Sequence, residues 1–481
     1  MNVDETAISS IVDRVVDQLL SGQQPTASKS MPQPAAPSTA YAMADSGALG
    51  CFGDIESAIE AAHQAFLEYQ KIPVAKRNDI IQSIRDHCTE NLSQLARMAV
   101  EETGLGRYED KLKKNEVAIL KTPGVEDLEP IAFTGDNGLT LLERAPYGVI
   151  GSITPCTNPS ETIISNGIAM LAGGNTVAFN THPSAKKTSV FTINLLNKAI
   201  MAAGGPPNLL TTVTTPTIKS AGVLMKHPLI RLLVVTGGPA VVNAAMQSGK
   251  KVIGAGPGNP PVVVDETADI EKAARDIVMS AGTDNNIICV IEKNIIATKS
   301  AAEKLRQALV NNGAVELQSF QAKRVEQLVI DGDHPNKKWV GKDIQLILRE
   351  IGMEVDSSKR IAFAEVSKNH PFAKVEMLLP VLPFIIVDDI DEAIDVAYEL
   401  EGGCFHTAAI HSRNIDNLHK MAVKMNTSIF VKNGPALAGL GLGGEGPASF
   451  TIASPTGEGV TTARHFTRLR RCVVSGHFRI V

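Results

Sequence analysis

Cys289 has the clearest chemical potential of any side chain in this sequence of 481 residues. It closes the segment 284–289, Asp-Asn-Asn-Ile-Ile-Cys, between a helix predicted to end near Gly282 and a strand predicted at 294–298. A thiolate is a strong nucleophile towards a carbonyl carbon. We therefore expect Cys289 to lie at a turn that faces the carboxyl edge of its sheet, although the position suits a small buried side chain equally well.

The other five cysteines include one rival nucleophile. Cys156 also lies in a loop, whereas Cys88 falls on an apolar helical face, and Cys51, Cys404 and Cys472 lack a polar loop context. No two cysteines form a CxxC pair. This spacing argues against a zinc site or a disulfide framework, predicts no metal, and favours a reducing cytosol.

Two polar turns follow predicted strands and precede predicted helices. In the first, Thr-Pro-Cys-Thr-Asn-Pro at 154–159, the Asn158 amide could stabilise an oxyanion, although a helix cap explains the turn equally well. In the second, Thr-Gly-Gly-Pro at 236–239, two glycines would let a cofactor approach the backbone. The GxGxxG match at 441–446 lacks a convincing strand and helix around it, so we do not interpret it as a dinucleotide-binding motif.

Strands and helices alternate around these turns, which predicts a parallel sheet with helices on both faces and a cofactor at the carboxyl ends of its strands. The predicted strands are 149–154, 176–180, 209–213, 231–236 and 251–254, and the helices are 160–172, 184–203, 215–225 and 239–247. A second α/β block covers 257–448, and one helical face is predicted over 81–95. The strand-like segments 138–144 and 466–481 lie outside both blocks and suggest a subunit contact.

The bulk composition excludes several classes of function. The length predicts two or more domains, and the apolar fraction of 44% and charged fraction of 20% are ordinary for a globular protein. A net charge of −5 gives no electrostatic case for binding nucleic acid. No apolar run reaches the roughly 20 residues of a membrane helix, and no secretory signal is evident. We expect no membrane contact and a cytoplasmic protein.

The N-terminal residues predict a helix on a flexible tether. Residues 4–20 carry one apolar face, formed by Ile8, Ile11, Val12, Val15, Val16, Leu19 and Leu20. The stretch 23–40, with four prolines among Gln, Ser, Thr and Ala, has the composition of a linker. Either the helix docks on its own body or a sister subunit, or it is a docking peptide for another protein.

Together, these segments resemble the aldehyde dehydrogenase superfamily, and more closely the CoA-acylating aldehyde dehydrogenases of bacterial ethanolamine and propanediol utilisation. The superfamily motifs are those at 154–159, 172–177, 236–238, 284–289 and 376–380. The closer resemblance rests on 134–138, 258–269, 406–414, 427–435 and 454–461, and it covers essentially the whole chain.

The resemblance implies an α/β fold with two doubly wound parallel-sheet domains and a small β oligomerisation flap. The implied divisions are a targeting helix (1–22), a flexible linker (23–49), an NAD-binding domain (50–134 and 149–256), a catalytic domain (257–448) and oligomerisation strands (135–148 and 449–481).

The resemblance also implies roles for individual residues. Cys289 would be the nucleophile, and Asn158, with the backbone N–H of Cys289, would form the oxyanion hole. The implied cofactor-binding residues are Thr154, Pro155, Thr157, His182, Thr236, Gly237, Gly238, Gly254, Ala255 and Glu376. The lysine that often holds the adenosine ribose is missing from 179–183, where the sequence reads Phe-Asn-Thr-His-Pro.

One departure from the superfamily indicates the reaction. Hydrolytic members carry a glutamate that activates water, and the matching stretch here reads Gly-Ala-Gly-Pro at 254–257. The resemblance thus implies that a short-chain aldehyde is oxidised by NAD through a Cys289 thioester, and that coenzyme A takes the acyl group. Propionaldehyde is favoured and acetaldehyde stays open. The alternatives are a hydrolytic dehydrogenase releasing free acid, a non-enzymatic microcompartment structural component, and a regulatory nucleotide binder.

The resemblance extends to partners and location. It implies a homodimer or homotetramer, and recruitment into a bacterial microcompartment through contact between residues 1–22 and a shell protein.

Overall fold

The computed structural model describes residues 47–481, so the predicted targeting helix and most of the linker lie outside the described residues. The strands are β1 (Cys51–Phe52), β2 (Ile131–Gly135), β3 (Gly138–Pro146), β4 (Val149–Ile153), β5 (Thr176–Asn180), β6 (Leu210–Val213), β7 (Ile230–Thr236), β8 (Lys251–Ala255), β9 (Pro261–Val264), β10 (Asn294–Thr298), β11 (Val315–Leu317), β12 (Ile330–Asp331), β13 (His334–Pro335), β14 (Ala362–Glu365), β15 (Val381–Val387), β16 (Thr407–His411), β17 (Ile429–Lys432), β18 (Ile452–Ala453), β19 (Gly459–Val460) and β20 (Thr467–Ser475).

The helices are α1 (Ile55–Tyr69), α2 (Val74–Glu90), α3 (Leu92–Thr103), α4 (Tyr108–Lys121), α5 (Pro159–Ala172), α6 (Lys186–Ala202), α7 (Ile218–Lys226), α8 (Pro239–Met246), α9 (Ile270–Ala281), α10 (Lys299–Asn311), α11 (Ser319–Val329), α12 (Ile344–Glu350), α13 (Pro371–Lys374), α14 (Ile390–Glu401) and α15 (Ile415–Met425). No helix within 47–481 combines the length and the apolar character that crossing a membrane requires.

Two parallel sheets form the body, as predicted. The first has six strands in the order β1-β6-β5-β4-β7-β8, and the second has seven in the order β11-β14-β15-β10-β9-β16-β17. Side chains alternate between two separate apolar cores. In β5, Val177 and Phe179 face one core and Ala178 the other, and in β10, Ile295 and Ile296 divide in the same way. This alternation explains why the strands read as continuous apolar runs: both faces are covered by helices.

A third sheet, of three antiparallel strands in the order β2-β3-β20, lies outside these two. Residues 139–146 of β3 pair with 467–474 of β20, residue for residue. The sheet also takes in β2, of which residues 131–134 were predicted to belong to the NAD-binding domain. A two-residue turn joins β2 to β3, so these residues complete a hairpin rather than end the preceding helical region.

The structure corrects two other expectations. The helical face predicted over 81–95 belongs to two helices, because α2 ends at Glu90 and Asn91 donates its side-chain amide to the carbonyl oxygen of His87 at 2.8 Å. The loop of Cys289 precedes β10, so it lies at the amino end of its own sheet rather than at the carboxyl edge. It instead lies against Gly258, three residues beyond the carboxyl end of β8 in the first sheet.

Candidate active site

The carboxyl edge of the first sheet gathers the residues predicted to bind NAD, with the exception of Glu376. Because its strands are parallel, their carboxyl ends meet at one edge. Thr154, Pro155, Thr157 and Asn158 follow β4, His182 follows β5, Thr236, Gly237 and Gly238 end β7 and begin the turn to α8, and Gly254 and Ala255 end β8. These positions therefore converge on one edge of the sheet.

These residues suit a dinucleotide. The Thr154 hydroxyl is buried and has no partner among the residues described, so a bound group could satisfy it. A Cβ atom at Gly238 would meet open space, immediately before the N-terminus of α8, where backbone N–H groups favour a phosphate. The Thr236 hydroxyl lies 2.9 Å from that of Thr451. His182 accepts the backbone N–H of Ser184 through Nδ1, and burial lowers its pKa.

The residues before Cys289 adopt an unusual backbone. Asp284, Asn285 and Asn286 have φ angles of 50°, 54° and 65°, in the left-handed region that few side chains other than Asp and Asn tolerate. Each is held by its side chain. Asp284 accepts the N–H of Arg107 at 2.8 Å, and Asn285 donates to the carbonyl of Gly341 at 2.9 Å. Asn286 donates to the carbonyl of residue 281 at 2.8 Å. The polar triplet therefore shapes the loop.

A buried charge cluster joins the Asn158 turn to this loop. Lys114, on α4, donates to Oδ1 of Asn158 at 2.6 Å and to Oδ2 of Asp284, and it lies 3.3 Å from Glu161. Lys111, one turn earlier, lies 3.0 Å from Asp284. Both ammonium groups are fully buried. The roles of these lysines could not be predicted from the sequence, because on an amphipathic helix two lysines three residues apart are normally solvent-exposed.

Cys289 is a half-buried residue at this junction. Burial and then the Glu376 carboxylate raise the pKa of Cys289 to about 12, whereas the ammonium groups of Lys293 and Lys114 lower it. Lys293 is itself buried and donates to the carbonyl of Ile288 at 3.1 Å. Burial lowers the pKa of Lys293 to about 8. The ionisation of this thiol therefore depends on the surrounding charges.

Glu376, predicted to contact the cofactor, comes from the second sheet's side of the site. Its Oε1 accepts the N–H of Gly258 at 3.3 Å, and burial raises its pKa against the opposing effect of Lys293. Gly258 also borders the carbonyl oxygen of Cys289, so the structure brings Glu376 to the nucleophile loop.

His406 was missed by the sequence reasoning, although it opens one of the motifs that carry the family resemblance. A Cβ atom at Gly258 would lie 2.9 Å from Cγ of His406 and 3.0 Å from the carbonyl oxygen of Cys289, which places the ring close to the backbone of the Cys289 loop. Its Nδ1 lies 2.8 Å from the Thr407 hydroxyl, and Nε2 is buried without a partner among the described residues. Burial and Lys293 lower the pKa of His406 to about 4, so the imidazole is neutral at neutral pH.

The place of the missing water-activating glutamate is tightly packed. A Cβ atom at Gly254 would lie 3.1 Å from Cγ1 of Val242 and 3.6 Å from Cγ2 of Thr456, and the Gly254 N–H donates to the Thr456 hydroxyl at 3.0 Å. A cavity of 280 Å³ lies elsewhere, beside Asp110 and Thr283, and none of the predicted site residues lines it. Within 47–481, no group of three His, Cys, Asp or Glu side chains could hold a metal.

Two parallel sheets, with a cysteine loop set against the cofactor edge of the first, define the class as nucleotide-binding α/β proteins with a candidate thiol nucleophile. The model of the Aldehyde dehydrogenase family matches residues 30–320, and this chain belongs to that family.

Individual relatives are similar over most of their length. The chain is 51% identical over 440 residues to acetaldehyde dehydrogenase (acetylating) EutE of Salmonella typhimurium, covering 90% of this chain and 94% of that protein. A structure of Rhodopseudomonas palustris propionaldehyde dehydrogenase with bound CoA and an acylated cysteine has 49% identity and a TM-score of 0.89, covering 90% and 99%. The propionaldehyde dehydrogenase of the Clostridium phytofermentans fucose utilisation bacterial microcompartment has 48% identity and a TM-score of 0.89, covering 90% and 100%.

Proposed function

We propose that this protein oxidises a short straight-chain aldehyde with NAD and transfers the acyl group to coenzyme A. The observation that carries the proposal is the position of the Cys289 loop, against the carboxyl edge of a sheet whose Gly254 stands where hydrolytic members have a glutamate. The relatives named above act on acetaldehyde and propionaldehyde and include an acyl-cysteine with bound CoA.

The chain's own residues account for the first half-reaction. The Cys289 thiolate adds to the aldehyde carbon, and Nδ2 of Asn158, with the backbone N–H of Cys289, donates to the oxyanion of the resulting thiohemiacetal. NAD bound at the sheet edge supplies the acceptor for the hydride. The product is a thioester on Cys289. Glu376 is held by Gly258 and affects the ionisation of the thiol.

His406 serves the second half-reaction. Its neutral imidazole lies close to the Cys289 loop, and its Nε2, which has no partner among the described residues, would accept the proton of an incoming CoA thiol as the thioester is attacked. His406→Gln should therefore leave the first burst of NADH unchanged and slow the later turnovers, as rapid-mixing kinetics would reveal. His419→Gln, on α15 away from the loop, is the matched control. A slowed burst would contradict this role.

The reaction class is tested by measuring NADH and products with a series of straight-chain aldehydes, with and without CoA. The proposal predicts acyl-CoA formation that requires CoA and is abolished in Cys289→Ala, while NAD binding is retained. Free acid formed without CoA would instead support a hydrolytic enzyme. Continued activity in Cys289→Ala and its loss in Cys156→Ala would show that Cys156 is the nucleophile. The ratio of kcat/KM for propionaldehyde and acetaldehyde measures the substrate preference.

The three-stranded sheet is proposed to join subunits into a homodimer or homotetramer. Eight of the nine residues of β20 are exposed, including Leu469 and Val473, which are 55% and 58% exposed. β2 adds Ile131 and Phe133, which are 50% and 58% exposed. An antiparallel sheet normally buries at least one face, so a second subunit is the natural cover.

Residues 1–22 are proposed to recruit the enzyme into a bacterial microcompartment within the cytoplasm. The apolar face of the predicted helix would bind a groove or matching helix of a shell protein. Deleting 1–22, or replacing Ile11, Val15 and Leu19 by Glu, should leave catalysis unchanged and release the enzyme from purified compartments. Altered activity or subunit number in the truncated enzyme would show that the helix packs on the enzyme itself.

A further inference from the structure

Two fully buried lysines beside the active-site turn call for an explanation beyond stability. Removing ammonium groups from water is expensive, and a buried ion pair often stabilises a fold no better than apolar side chains would. Lys114 is nevertheless surrounded by specific partners: Asn158 at 2.6 Å, Asp284 in direct contact, and Glu161 at 3.3 Å. Its position is therefore closely defined by two carboxylates.

The contact with Asn158 selects one orientation of the amide. An ammonium group only donates hydrogen bonds, so it binds the amide oxygen Oδ1 and disfavours contact with the amide NH₂. In this orientation Nδ2 is the end of the amide that does not face Lys114, and its bond to the Thr157 hydroxyl is long, at 3.3 Å. Nδ2 is therefore available to another acceptor. The charge on Nζ also polarises the amide and strengthens Nδ2 as a donor.

We propose that Lys114 is a positioning residue for the oxyanion donor, which it holds by Oδ1 and couples to the nucleophile loop through Asp284. Asp284 lies five residues before Cys289 and accepts the N–H of Arg107 as well. One ammonium thus ties together the turn that carries Asn158 and the loop that carries Cys289. This inference rests on the proposed function, because it requires Asn158 to donate to an oxyanion.

A double-mutant cycle tests the coupling. Asn158→Ala, Lys114→Met and the double variant are compared in the rate of the first NADH burst at saturating aldehyde and NAD, after the wild type has been shown to need CoA for turnover. Loss of one oxyanion donor lowers the rate roughly 10²–10³-fold. Lys114→Met should lower the burst rate at least about tenfold with little change in the aldehyde KM. The double variant should be at most about twofold slower than Asn158→Ala.

Lys113→Met is the matched control, since Lys113 is exposed on the same helix. It should retain the wild-type burst rate. If Lys114→Met fails to fold, the same cycle is built on a Glu161→Gln background, in which the pair Lys114→Met with Glu161→Gln is charge-balanced, and each variant is compared with Glu161→Gln alone. Melting temperature and NAD affinity verify the fold of each variant.

The outcomes separate the two proposals. A wild type without CoA-dependent turnover refutes the proposed function. A normal burst in Asn158→Ala refutes the oxyanion role, and with it the inference. If Asn158→Ala is slow but Lys114→Met is not, or if the two losses multiply in the double variant, Lys114 does not position the amide, whereas the proposed function stands.

Discussion

At the scale of single residues, the charges around Cys289 determine how readily its thiol ionises. Because the Glu376 carboxylate helps to raise the pKa of Cys289, Glu376→Gln should lower that pKa in the free enzyme. Each unit of change alters the thiolate fraction about tenfold. Iodoacetamide should therefore alkylate Cys289 faster in Glu376→Gln than in the wild type at pH 8. The exposed Glu350→Gln is the control, and an unchanged rate would contradict the assignment.

Glu292 should make stability depend on pH. It is fully buried, accepts the N–H of Ala436 at 2.7 Å, and burial raises its pKa to about 7. Between about pH 4.5 and 7 the folded protein holds a proton that the unfolded chain has released, so stability falls as the pH rises through this window and stays lower above it. Glu292→Gln should remove this loss in the free energy of unfolding, which is at most about 3 kcal/mol. The melting temperatures of Glu292→Gln and the wild type at pH 5 and pH 8 test this prediction. If the two proteins differ by the same amount at both pH values, the prediction is contradicted.

The sequence could indicate Cys289 and Asn158 because their motifs are local. Lys114 and His406 could not be assigned, since each gains its role from partners that are distant in the sequence. Lys114 contacts Asn158 and Asp284, 44 and 170 positions away. Only the fold shows that a helical lysine points into the site.

At the scale of elements, the left-handed triplet sets the geometry of the nucleophile loop. Asn285→Ala loses two side-chain hydrogen bonds and also adds backbone strain, whereas Asn285→Gly loses the same bonds without the strain. A side chain other than Asn or Asp in this conformation costs about 1–2 kcal/mol. Asn285→Ala should therefore melt lower than Asn285→Gly and react more slowly. Equal melting temperatures would show that the backbone angle carries no strain.

Strand and helix positions were predicted well where the apolar periodicity and the length of a segment were clear in the sequence, as in β5 and β10. The stretch 312–378 was left without elements, yet it contains β11, β14, α11 and α12. These strands are only three or four residues long, too short for a periodic pattern. Their burial comes from a separate apolar cluster around Trp339 and Phe372 that only the fold assembles.

At the scale of the whole molecule, the exposed strand β20 should control assembly. Val473→Asp together with Leu469→Asp should reduce the mass in light scattering from that of an oligomer to that of one chain, because two charges would be buried in the contact. Ile415→Asp, a 76% exposed position on α15, is the control and should leave the mass unchanged. If the double variant keeps its mass, the subunits meet elsewhere.

The division of the chain into two parallel sheets and an outlying antiparallel sheet followed from the alternation of elements and the family resemblance. The direction in which Cys289 faces could not be predicted from either of these. Local order places its loop before β10, but only the packing of one sheet against the other sets it at the carboxyl edge of the first.

The central claim is that Cys289 forms a thioester that CoA resolves and water does not. Rapid mixing of enzyme with NAD and propionaldehyde measures it directly. Without CoA we expect one burst of about one NADH per active site and an acylated Cys289 detectable by mass spectrometry, followed by near arrest. Added CoA should restore steady turnover and release propionyl-CoA. Continuous NADH formation without CoA, or a burst in Cys289→Ala, would contradict the account.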